Sequence, residues 1–168
     1  MIQQTWKNVV AVTNRKLAAR SYYEQIERIC LMRPRAVLIR EKDLPADAYA
    51  ALAGKAGEIC RKYQVPCIYH SYLQTAYSAG VKRIHLPMTL LRKYAKSPVL
   101  KEFKSIGTSV HSVAEAQEAQ SMGATVLIAG HIYPTECKKG LEGRGMGFLS
   151  DVCGSVSIPV YAIGGIHT

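Results

Sequence analysis

No apolar run in this sequence approaches the ~18 residues that a bilayer-spanning helix needs. The start, MIQQTWKNVV, lacks the charged-then-apolar pattern of a secretory leader. A soluble, cytoplasmic protein with no membrane partner is the expectation. Cysteines are few and unpatterned: Cys30, Cys60, Cys67, Cys137 and Cys153, an odd count without CxxC spacing. That argues for reduced thiols, against a disulfide framework and against a zinc site. No histidine pair has HxxxH or HExxH spacing, so no metal or other resident cofactor is expected. Low-complexity tracts that would mark a linker are also missing, and 168 residues suit one domain spanning the whole chain.

Acidic residues are scarce, 12 against 22 basic, for a formal charge of +10. Such an excess attracts nucleic acid, anionic membranes or small phosphorylated ligands. The basic residues are spread along the chain, however, and no helix-turn-helix, zinc finger or RNP-like motif accompanies them. Nucleic acid is therefore not expected as a partner. A solvated basic surface accounts for most of the charge.

What is present is an alternation. Short apolar, β-branched runs at 9–13, 36–39, 65–69, 83–86, 104–108, 125–129 and 159–163 read as parallel strands buried on both faces. Helical segments are expected between them at 21–31, 47–63, 72–79, 88–95, 112–122 and 147–152. The first and fifth open on capping boxes, Ser21 with Glu24 and Ser112 with Glu115. Repeated βα units with short crossovers predict an α/β fold, a (β/α)8 TIM barrel; a doubly wound sheet is the alternative, but no glycine-rich loop follows the first strand. The chain ends just beyond the seventh strand, so the barrel is expected to be truncated there, with strand 8 missing. The edges of strands one and seven would then invite association into a homo-oligomer.

Ligands of such barrels sit at the C-terminal ends of the strands. Those positions here hold Thr13-Asn14-Arg15, Arg40-Glu41-Lys42, Tyr69-His70-Ser71, His85, Thr108-Ser109 with His111, the loop GHIYPTECKKGLEGRG (130–145), and Gly164-Gly165. Basic groups, hydroxyls and glycines suit a phosphorylated anion; carboxylates are too rare for a hard cation. Arg40 and Lys42, two residues apart off one strand, are candidates to grip a phosphate, although an ordinary surface pair has the same spacing. Gly164-Gly165 offers backbone N–H groups to an anion, although plain turn chemistry explains a glycine pair equally. His131, where strand six ends, is the candidate acid/base; a structural histidine is the alternative. His85 reads as a hydrogen-bonded core residue, and His111 as a helix cap.

The segments IREKDL (39–44), HL (85–86), SVHS (109–112), GHIYPTECKKGLEGRG and IPVYAIGGI (158–166) resemble the thiamine phosphate synthase/TenI family. The resemblance implies a (β/α)8 barrel of thiamin biosynthesis acting on a phosphorylated thiazole. Two activities occur in the family. The synthase joins a pyrimidine diphosphate to the thiazole phosphate with magnesium. Its pattern has an Asn-Asp pair after strand three and an Asp after strand four, where this chain has His70, Ser71 and Leu90. TenI is a metal-independent thiazole tautomerase, and the GHxxxTxCKKGLEGRG loop looks more like that branch. By resemblance His131 is its catalytic histidine. Ser109, Thr135, Cys137, Lys138 and Gly165 are ligand contacts, with Arg40, Lys42 and Gly164 beside them. The sequence reading is thus a tautomerase. The alternatives are a synthase with an altered metal site, which alone would call for magnesium, or a non-catalytic barrel that binds thiamin phosphate.

Overall fold

Strands form where β-branched and apolar residues run together, and each is followed by a polar turn and a helix. The computed structural model describes residues 5–138 and 140–166, with Thr5 and Cys137 by their backbones alone. The chain divides into two compact units, Met1–Ile84 and His85–Thr168. Strand order in the sheet follows chain order.

The first unit contains β1 (Val10–Val12), α1 (Tyr22–Leu31), β2 (Ala36–Ile39), α2 (Ala46–Lys62), β3 (Cys67–His70) and α3 (Leu73–Ser78). β1 pairs with β2, and β2 with β3, all parallel. Every residue of β2 is buried, which explains its uninterrupted AVLI run. Ser21 caps α1 by accepting from the Glu24 N–H. After α2 the chain turns through Gln64 at φ +58, with the Val65 N–H returning to the Cys60 carbonyl. α3 stops at Gly80 (φ +68), a left-handed position that suits glycine. Tyr49 ties the unit together: its buried hydroxyl donates to the Ile39 carbonyl and accepts from the His70 N–H.

β4 (Arg83–Pro87) crosses the boundary between the units. The second unit continues with α4 (Met88–Tyr94), β5 (Ser105–Val110), α5 (Val113–Ser121), β6 (Val126–Gly130), α6 (Gly145–Ser155) and β7 (Val160–Ile163). β5, β6 and β7 pair in parallel. At the start of α5 Ser112 accepts from the Glu115 N–H as expected, but the Glu115 carboxylate takes the N–H of His111, one residue before the cap, not that of Ser112.

All seven expected strands and six expected helices are present, within a few residues of their expected limits. Three differences stand out. α6 runs from Gly145 to Ser155, beyond the expected 147–152, because its glycines conceal a helical pattern. Four short 3-10 turns among the described residues, at 5–8, 15–17, 98–102 and 136–138, were not expected. Most cysteines outside the polar loop read as small core residues; Cys30 and Cys60 are buried in that way, but Cys67 is half-buried and Cys153 exposed.

Candidate functional site

The strand ends of the first unit carry a clamp that the sequence reading passed over. Glu41 follows Arg40 at the end of β2 and is 3% exposed. A carboxylate so far from water needs partners. It accepts from the Thr13 hydroxyl at 2.8 Å, from the Arg15 N–H at 3.1 and 3.2 Å, and from the Arg15 guanidinium at 3.2 Å. Arg15 then reaches Asp43 with two further bonds, at 2.5 and 2.8 Å. Hydrogen bonds from Arg15 and Lys16 hold the Asp43 carboxyl well below the usual carboxylate range, and the same contact raises Arg15. Thr13 also accepts from the Arg40 N–H at 3.0 Å, so the clamp fixes the backbone that carries the predicted cations.

Arg40 and Lys42 lie beyond β2, which ends at Ile39, so strict strand alternation does not orient them. Arg40 is half-buried and Lys42 exposed, with the buried Glu41 between them. At the end of β3, His70 is buried and its Nδ1 lies 2.7 Å from the Ser71 hydroxyl. Ser71 has φ +66, a conformation that costs a non-glycine residue about 1 kcal/mol or more.

In the second unit, His85 is buried and meets the Ser109 hydroxyl at 2.9 Å, the hydrogen-bonded core role expected of it. Ser109 itself is half-buried. Thr108 donates to the Leu86 carbonyl at 2.6 Å and is fully buried. His111 does not cap α5 with its ring. Ser112 takes that place, and the His111 Nδ1 sits 2.7 Å from the Gly130 carbonyl.

His131 follows Gly130, the last residue of β6, and is 8% exposed. Among the described residues its Nε2 approaches only the Leu141 carbonyl, at a long 3.4 Å, so the ring is weakly held. The loop is stitched to the end of β7 and to the start of α6. Ile132 N–H donates to Ile163, Tyr133 N–H to Gly164, and Arg144 N–H to His131. Gly164 (φ +101) and Gly165 (φ +65) pack directly on the backbones of His131 and of Tyr133-Pro134, where any Cβ would collide. Close approach therefore already requires this glycine pair, whatever else their N–H groups do. Thr135 is half-buried and Lys138 exposed, joined by the Lys138 N–H to the Thr135 carbonyl at 2.9 Å. The side chain of Cys137, a predicted contact, lies outside the described residues, as does His167.

The thiamine monophosphate synthase family model matches residues 9–168. The chain belongs to that family. Relatives include thiamine-phosphate synthase 2 of Streptococcus pneumoniae, 34% identical over 161 residues, covering 92% of this chain and 74% of the relative. Thiamine-phosphate synthase of Clostridium botulinum is 34% identical over 158 residues, covering 93% and 77%. Among solved structures, the chain resembles a thiamine phosphate pyrophosphorylase from Pyrococcus furiosus at 26% identity and a TM-score of 0.79, covering 96% of this chain and 76% of that one. FabK from Thermotoga maritima, at 16% identity and a TM-score of 0.68, shares the fold alone. The α/β barrel-type fold expected for the family is the fold observed.

The synthase of this family implies magnesium. Among the described residues no group of three or more His, Cys, Asp or Glu side chains is arranged to hold a metal ion. Glu41 and Asp43, the carboxylates after β2, are committed to Arg15, Thr13 and Lys16. Ser71 and Leu90 bring no charge. The described side chains do not fit a magnesium site of the usual all-oxygen kind.

Proposed function

We propose that this chain is an enzyme of thiamine biosynthesis that binds a thiazole phosphate at its strand ends. For the reaction, the comparisons support the synthase better than the tautomerase. The relatives named above bear the synthase name, at 34% identity over more than nine-tenths of this chain. The synthase thus takes first place over the tautomerase favoured by the loop sequence alone. In this reading the departing pyrophosphate is neutralised without a carboxylate-held metal, by cationic side chains. Lys138, on the same unit as His131, is the candidate in the second unit, and Arg40 and Lys42 are separate candidates at the strand ends of the first, since charge-assisted bonds to phosphate need no further ligand set.

One observation favours tautomerisation as a second reading. His131 is buried, weakly held and placed where β6 ends. An imidazole there can take a proton from one carbon and return it to another, with no metal.

A paired assay separates the two. The chain is incubated with the pyrimidine diphosphate and thiazole phosphate, with and without magnesium, and separately with the thiazole carboxylate phosphate tautomer. Thiamine phosphate and pyrophosphate in the first mixture support the synthase. Aromatisation in the second alone, abolished by His131→Ala, supports the tautomerase. Saturable thiazole phosphate binding with neither product would overturn both and leave a non-catalytic binding protein.

A further inference from the structure

The first unit holds a cavity of about 630 Å3 at the opposite ends of its strands from the Glu41 clamp. One wall is α2, through Gly54, Gly57 and Arg61; the other is the segment 79–83 that enters β4. Two glycines on α2, Gly54 and Gly57, put no side chain into the space. Its volume lies within the range of small-molecule sites.

Two features point to an anionic occupant. Arg61, Lys82 and Arg83 line the cavity, against Glu58 as its one acidic group. None of the three cations is in an ion pair with another described residue. Tyr69 also lines it, 3% exposed, and its hydroxyl makes no hydrogen bond among the described residues. A built Cβ on Gly57 would lie 3.6 Å from that hydroxyl, so the group faces the space left open on α2. The Tyr69 hydroxyl is not sealed from solvent, so it opens to the cation-lined cavity and can donate to an acceptor placed there. Val65, Pro66 and Val81 add an apolar side.

We infer that this cavity is a second binding site, taking a small phosphate ester whose phosphate meets Lys82, Arg83 and Arg61, accepts from Tyr69, and whose uncharged part rests on Val65, Pro66 and Val81. The site is separate from the strand-end site and does not depend on which reaction occurs there.

The test titrates the 15N-labelled chain with phenyl phosphate, and separately with inorganic phosphate and pyrophosphate. Saturable amide shifts at 54–67 and 79–83 are expected, with phenyl phosphate binding tighter than inorganic phosphate. Lys82→Ala with Arg83→Ala should weaken binding at least tenfold, as loss of charge-assisted bonds does. Tyr69→Phe should weaken it severalfold, and Gly54→Leu, which fills open space, should abolish it. Thiazole phosphate binding should survive the Lys82/Arg83 change, which separates failure of this inference from failure of the proposed function. Shifts confined to the strand C-terminal ends, no saturable shift, or undiminished affinity in the Lys82/Arg83 variant would overturn it.

Discussion

Glu41→Gln keeps the shape of the side chain and removes its charge, which makes it a clean probe of the clamp between β1 and β2. The carboxylate accepts from Thr13, from the Arg15 N–H and from the Arg15 guanidinium, and is 3% exposed. A glutamine retains one carbonyl oxygen for these donors and turns an NH2 group towards the others. At least one charge-assisted bond is lost, worth about 1.5–3 kcal/mol. For a chain of this size that is a fall in Tm of about 3–12 °C. Glu41→Ala removes every acceptor and should cost about 3–5 kcal/mol, as breaking a buried ion pair does. Thermal unfolding followed by circular dichroism gives the fall. Amide exchange at Thr13, Arg15 and Arg40 should accelerate, since the Arg40 N–H depends on the same threonine. An unchanged Tm and unchanged exchange at these amides would refute the clamp as a stabilising element.

Gly164→Ala should lower both Tm and ligand binding, because φ +101 disfavours a side chain and the new Cβ would meet His131; a melt and a thiazole phosphate titration check this. Asp43 has a depressed folded-state value, held down by Arg15 and Lys16, so its contribution is present above the ordinary carboxylate value and lost as pH falls through the depressed one. Asp43→Asn should therefore flatten the pH dependence of stability in acid and leave it unchanged above pH ~6; equal slopes in variant and wild type would contradict this. Among the described thiols, Cys153 should react first with a maleimide and Cys30 and Cys60 last. The buried pair sits with its sulfurs 3.8 Å apart, and both thiols are raised, Cys60 to about 12. Mass spectrometry of the labelled peptides reads the order.

Strands were legible because buried parallel strands write continuous apolar runs, as AVLI does for β2. Capped helices were legible from Ser21 and Ser112, whose partners lie three residues on. α6 was short-changed because Gly145, Gly147 and Gly154 dilute its pattern. The Glu41 clamp could not be read: its partners lie 26–28 residues away in sequence, and a carboxylate inside IREKDL looks like surface charge. A signal existed in the alignment of Thr13 and Glu41 at neighbouring strand ends, where β1 and β2 pair. His85 was legible because it interrupts an apolar run. His111 was not, because its ring partner, the Gly130 carbonyl, comes from the next strand. The Gly164-Gly165 pair looked like an anion cradle, whereas the close approach of the 131–134 backbone gives those glycines a packing reason as well.

The central claim is that the strand ends bind a thiazole phosphate, and calorimetric titration of the chain with that compound tests it most directly. With the second cavity disabled by Lys82→Ala and Arg83→Ala, saturable binding near one equivalent, weakened about tenfold or more by adding Lys138→Ala through loss of a charge-assisted bond, is the predicted result. Absence of saturable heat in the wild-type chain, or binding that Lys138→Ala, His131→Ala and Arg40→Ala all leave unchanged, would contradict it.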